Sequence, residues 1–185
     1  MMTRRPTPRR GMTVVESALV LAVFCLLLFG VFEYCRFLYV LHLANNAARD
    51  GARYATVNLD KPTNFDSADY TDSTGTTFVS VQKYTTARLG GADRQLAGYQ
   101  VAAFAVDPAG LALAAPVIRP ASASPPSYPD PFNAGDPNRV PWNRTAFPNL
   151  VAVSVKGAYQ PLLPGFLFMP SSVPLQVTAT ASSEG

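Results

Sequence analysis

The sequence predicts an α+β protein. A long N-terminal transmembrane helix continues into an exported domain with a small antiparallel sheet and a second helix. Three observations carry this. An uncharged apolar run, Ser17 to Phe32, follows a cluster of arginines. Beyond it, apolar and small residues recur at three- and four-residue steps. Further on, three segments alternate with period two.

Composition narrows the class. The chain has 185 residues, 48% hydrophobic and 15% charged, and the apolar content is concentrated near the N-terminus. The remainder is rich in Thr, Ser and Pro, as in a secreted segment. The net charge is +3, and four arginines (Arg4, Arg5, Arg9 and Arg10) precede the apolar run with no acid among them. Without them the rest is close to neutral. The basic balance therefore speaks for membrane topology, with the N-terminus kept in the cytoplasm, and not for nucleic acid.

The sixteen residues from Ser17 to Phe32 carry no charge. At the helical rise they span about 24 Å, short of the ~30 Å hydrocarbon core. A span must borrow from one side. Forward lie Glu33 and Arg36, three residues apart and able to neutralise each other in part. Backward lies Glu16, whose helical neighbours are Met12, Thr13, Leu19 and Val20. A lone acid deep in the bilayer would cost roughly 2.5–3.5 kcal/mol.

Three readings of this start compete. A cleaved secretory signal suits the basic start, but no small-x-small site follows Phe32. An ordinary signal anchor would tolerate Glu16 at the interface. A prepilin-type signal explains the spacing: cleavage between Gly11 and Met12 makes Glu16 the fifth residue of the mature chain. The new ammonium group then lies one helical turn from the carboxylate, and each offsets the burial of the other.

The segments "RRGMTVVESALVL", "LLLFGVFEYCRFLYV" and "NNAARDGARYA" together resemble the N-terminal signature of TadE-like pseudopilins of the tight-adherence (Tad/Flp) pilus system. The resemblance covers about the first 57 residues. It implies a minor pilin-like subunit, matured by a prepilin peptidase and working with other pilin-like subunits and the Tad assembly platform. It also implies that Glu16 docks and aligns subunits. The departure is the bulky Met12 after the glycine.

The chain divides into a basic cytoplasmic leader (1–11), the helix and its extramembrane continuation (12–56) and the exported domain (57–185). One helix is expected from Thr13 to about Thr56, roughly 65 Å long. Its stripe is Tyr34, Phe37 or Leu38, Leu41, Ala44, Ala48, Ala52 and Ala55, with Glu33, Arg36, Asn46, Arg49, Asp50 and Arg53 mostly elsewhere. Most of this stripe should support the chain's own domain, and Ala44, Ala47, Ala48, Gly51 and Ala52 permit close approach. Tyr34 and Tyr39 fit the membrane interface. Cys25 and Cys35 lie about 15 Å apart along the helix, too far for an intrachain disulfide, and read as buried thiols.

In the exported part, Leu59–Thr76 reads as a polar loop. A second helix is expected on Phe78, Val81, Tyr84 or Thr85, and Leu89, ended by Gly90-Gly91. Strands are expected at Tyr99–Val106, Asn149–Gln160, with Val151, Val153 and Val155 inward, and Pro174–Ser182. The valine face should cover the helix stripe. Residues 107–148 read as a proline-rich loop, either a mobile surface excursion or one anchored by its aromatics; Trp142, Phe147 and Tyr128 would dock on the sheet, the favoured reading, or present a surface to a partner. The apolar Gln160–Pro174 segment, broken by prolines, reads as a buried loop.

Chemistry is sparse. His42 has no metal-ligating neighbour at helical spacing, and Asp66, Asp69 and Asp72 have the wrong spacing for an EF-hand. No nucleophile elbow, phosphate loop or Cys-x-x-Cys pair is present. The "NRT" at Asn143 is a sequon of little weight. The expectation is a non-enzymatic protein without cofactor or metal, in the cytoplasmic membrane with a single span. Its function is then assembly or initiation of a tight-adherence pilus, or, alternatively, anchoring a small extracytoplasmic binding domain.

Overall fold

The computed structural model describes residues 10–109, 130–133, 140–145, 149–162 and 170–182, with side chains from residue 14 onward. Helix α1 runs Arg10–Val57 as one continuous element of 48 residues. It ends where polar side chains take over its last carbonyls: Asn58 Nδ2 donates to the Tyr54 carbonyl and Thr56 Oγ1 to that of Arg53, both at 2.8 Å. Two short strands follow, β1 (Tyr70–Thr71) and β2 (Thr77–Phe78), then helix α2 (Val81–Arg88). Strands β3 (Leu96–Val106), β4 (Leu150–Tyr159) and β5 (Val173–Ser182) complete the order.

The α+β expectation holds: β3-β4-β5 form one antiparallel sheet, with Val101 opposite Val155 and Val155 opposite Val177. The half of α1 beyond Phe32 lies on one face of this sheet. Val40, Ala44, Ala47 and Ala48 pack with Leu89, Val155, Tyr159, Leu175 and Val177. Higher up, Ala52 and Ala55 pack with Phe65, Val81, Val151 and Val153. The inward valines are as the period-two pattern requires. Ala152 and Ser154 are buried as well, because the opposite face is also covered: Phe132 and Leu150 pack over Ala102, Phe104, Val106 and Ala152.

Several expectations need correction. The second helix starts at Val81, and Phe78 belongs to β2. Ser80 sets that start: it caps α2 by accepting from Lys83 N at 3.3 Å, while its own N–H donates to Asp69 Oδ1. After α2 the chain turns through Gly90 and Gly91, the latter at φ 91°, a left-handed conformation suited to glycine. The polar loop holds a 3-10 turn at Thr63–Asp66 and the β1–β2 hairpin. Asp72 organises that hairpin by accepting from Thr74 and Thr76 N–H groups, both at 2.9 Å.

Trp142 is docked, with its ring 6.3 Å from that of Phe65 and Nε1 donating to the Thr63 carbonyl at 3.0 Å. Phe147 and Tyr128 lie outside the described residues. The buried-loop expectation for Gln160–Pro174 fails at Leu162, which is 65% exposed, and at Pro170, Ser171 and Ser172, also exposed; residues 163–169 lie outside the described set. Cys35 is exposed and Cys25 only half-buried, against the expectation of buried thiols.

Candidate functional site

Helix α1 divides into a bare part, a junction and a packed part. The bare part is Val14–Phe32. Its apolar side chains point outward: Val14 is 68% exposed, Leu19 65% and Phe32 61%. The most apolar stretch is not buried by the rest of the chain at all, and it is long and apolar enough to cross a membrane. This fits a single-pass membrane anchor. Such a face is stable only in lipid or against other helices.

Glu16 sits within this bare part and is exposed, beside Ser17, Val20, Leu21 and Phe24. Gly11 and Met12 fall in the first turns of α1, and Arg10 opens it. Four residues of helix put Met12 and Glu16 about 6 Å apart along the axis. Arg4, Arg5 and Arg9 lie outside the described residues.

The junction was not anticipated. Glu33 is only 5% exposed. Tyr159 Oη donates to its Oε1 at 2.6 Å, Arg36 Nη1 at 3.2 Å and the Leu162 N–H at 3.3 Å. Arg36 also donates from Nε to Gln95 Oε1 at 3.0 Å, and its guanidinium lies 5.3 Å from the Tyr159 ring centre. The Glu33–Arg36 pairing expected from their spacing is therefore present, with three partners added from the C-terminal domain. Burial, and then the Glu33 carboxylate that accepts its proton, push the Tyr159 phenol up to about 12. The phenol remains a donor throughout the physiological range.

The sequence carried a signal for this. The buried face runs Glu33, Val40, Ala44, Ala47 and Ala48, Ala52 and Ala55, with Phe37 half-buried. Glu33 lies four and seven residues before Phe37 and Val40, so it belongs to the stripe. Tyr34, which had been placed there, is 56% exposed, and Tyr39 is 60% exposed. Tyr34 adjoins Glu33 in sequence and Tyr39 lies about 9 Å beyond Glu33 along the helix.

In the packed part, Gly51 lets α1 approach its neighbours. A Cβ there would overlap the Thr85 hydroxyl and meet Val153 Cγ1 at 3.3 Å. The small residues thus serve packing on the chain's own domain, the use expected for most of the stripe.

The remaining candidates stay apart. His42 is exposed. Asp69 binds Lys83 Nζ at 2.7 Å, Asp66 the Ser67 hydroxyl at 2.9 Å, and Asp72 its own turn. The Lys83 hydrogen bond, with that of Ser80, holds the Asp69 carboxyl below its usual value, and the Thr74 hydroxyl does the same for Asp72. Among the described residues no three His, Cys, Asp or Glu side chains converge as a metal site would require. Asn143 uses Nδ2, the atom a glycan would occupy, to donate to the Lys61 carbonyl.

Comparison with known proteins places the recognisable part on the same helix. The family model for TadE-like proteins matches residues 11–53, from the glycine before Met12 through the packed part of α1. Searches of curated proteins and of solved structures found no match.

Proposed function

We propose, from the premise that this chain is TadE-like over residues 11–53, that it is a pilin-like membrane subunit acting in assembly or initiation of a tight-adherence pilus. The observation that carries the reading is the bare apolar half of α1 with Glu16 near its start. A helix exposing this much apolar surface belongs in a bilayer, and an acid on it needs a cationic partner there. The ammonium group freed by cleavage between Gly11 and Met12 supplies that partner, within the chain or from a neighbouring subunit.

The roles then divide along the helix. Arg4, Arg5, Arg9 and Arg10 hold the leader on the cytoplasmic side until a prepilin peptidase removes it. Glu16 aligns subunits in the bilayer. Glu33 and the small-residue stripe fix the C-terminal domain to the helix outside it. The chain performs no catalysis in this reading; its partners are the peptidase, other pilin-like subunits and the assembly platform.

The test is in cells. Replacing Glu16 by Ala in the producing strain is expected to abolish tight-adherence pili while the protein remains in the membrane fraction. Unchanged piliation with Glu16→Ala would favour the alternative, an anchor that displays a small binding domain.

A further inference from the structure

Strand β5 is an outer strand of its sheet: β4 pairs with one side of it, and no described strand pairs with the other. Every second residue of such a strand turns its N–H and C=O away from the sheet. Among the described residues, no backbone group outside the sheet bonds to β5 there. Outer strands are ordinarily blunted by charge, proline or bulges. Here only Pro174, near the start, does so. Leu175 to Ser182 holds no charged residue and no proline, and its register with β4 is unbroken. The other outer strand differs. Strand β3 shifts register between Ala97 and Gln100, around Gly98 at φ 62°, and its Tyr99 hydroxyl meets that of Thr86 on α2 at 3.0 Å.

Helix α1 runs alongside β5. Leu175 and Val177 pack with Val40, Ala44, Ala47 and Ala48, and further up Ala181 packs with Ala52 and Ala55. At this upper end Arg49, Arg53 and Thr56 line a groove with Thr180, Ala181 and Ser182. Both arginines are exposed. Neither guanidinium has an ion pair or hydrogen bond among the described residues. Asp50, three residues before Arg53, lies instead 3.7 Å from Arg88 Nε. Two unpaired cations therefore flank an open strand.

The spacings agree. Four residues of helix separate Arg49 and Arg53 by about 6 Å along the axis. Same-face residues of an extended chain recur every ~6.8 Å. A strand laid against the outer side of β5, with acids at alternate positions, places one carboxylate near each arginine. Backbone pairing supplies the register, and the charge pair selects the side chains.

We infer that the outer side of β5 over Val177–Ser182, with Arg49 and Arg53 beside it, is a docking site for an extended acidic segment of a partner protein, which adds to the sheet as a fourth strand. The site lies on the packed part of α1 and is independent of the role given to the bare part.

The experiment uses the full chain in zwitterionic detergent. The probe is a fluorescein-labelled, end-capped octapeptide that alternates polar residues with valine and carries glutamate at its third and fifth positions. It is compared by fluorescence anisotropy with a form bearing glutamine at those positions and with two forms N-methylated on alternate residues, one blocking each edge. The acidic peptide is expected to bind at least about tenfold more tightly than the glutamine form, since hydrogen bonds to charged groups are lost in the latter. One N-methylated form should lose binding and the other keep it. The double variant Arg49→Ala, Arg53→Ala should bring the acidic peptide to the glutamine level, with Trp142 emission unchanged as the check on folding. No binding of the acidic peptide, equal binding of the glutamate and glutamine forms, or equal binding of both N-methylated forms overturns the inference. So does binding that appears only when residues 183–185 are removed, which would make the chain's own Glu184 the occupant.

Discussion

Tyr159 donates a 2.6 Å hydrogen bond to Glu33 across 126 residues of sequence, joining the last residue of the sheet's middle strand to the helix where its bare part ends. Glu33 is an acid whose only expected partner, from sequence spacing, is Arg36. Its burial on the domain side makes it an attachment, because three donors share the carboxylate.

Removing the phenol tests this attachment. Tyr159→Phe keeps the ring, which packs edge-on against Phe37 at 5.3 Å, and deletes only the donor. A hydrogen bond to a charged group contributes about 1.5–3 kcal/mol. Thermal unfolding of the detergent-solubilised chain should show a loss of this size.

The same bond gives a pH signature. The Tyr159 pKa rises from 10.0 to about 12 on folding. A raised value means that folding favours the protonated phenol. Its stabilisation is complete below pH 10 and is lost as pH climbs towards 12. Tyr54 and Tyr99 are also shifted upward by burial, so the informative quantity is a difference. The stability gap between the natural chain and Tyr159→Phe should shrink over pH 10–12, as followed by denaturant titration at each pH.

Gly51 should tolerate no side chain while Thr85 is present. Alanine improves helix propensity by roughly 1 kcal/mol over glycine. Overlap with the Thr85 side chain opposes this by about 1–3 kcal/mol. Gly51→Ala is therefore expected to destabilise. Thr85→Ala removes the overlapping hydroxyl, with its bond to the Val81 carbonyl and a buried methyl, so a double-mutant cycle should show favourable coupling: Gly51→Ala costs less in the Thr85→Ala background than in the natural chain.

Trp142 offers a direct optical check on the proline-rich loop. It is the only tryptophan and is 1% exposed. Its emission should be blue-shifted and shielded from acrylamide. Trp142→Ala should cost about 3–5 kcal/mol, as for other buried large aromatics, in the same unfolding assay.

Much of the fold was legible because it rests on long periodic signals. The helix expected at Thr13–Thr56 is found at Arg10–Val57, and the three strands differ from their expected bounds by at most three residues. The β1–β2 hairpin was hidden because its strands have two residues each and are held by Asp72 and the Thr71–Thr77 hydroxyl pair, not by an apolar pattern. At the helix, charge masked periodicity: Glu33 was set aside as polar although its position matched the stripe better than that of Tyr34. Tyr159, Gln95 and Leu162 reach it from distant parts of the chain, and no local pattern encodes that meeting. Glu16, by contrast, stood out because it is the one charged residue between Arg10 and Glu33, and its surroundings are close in sequence.

In the proposed function, a terminal amine at Met12 balances Glu16 in the bilayer. Intact mass and N-terminal sequence of the chain extracted from membranes, in cells with an active prepilin peptidase, test it most directly. The chain is expected to begin at Met12. A membrane-bound chain that still carries Arg4, Arg5, Arg9 and Arg10 would contradict it.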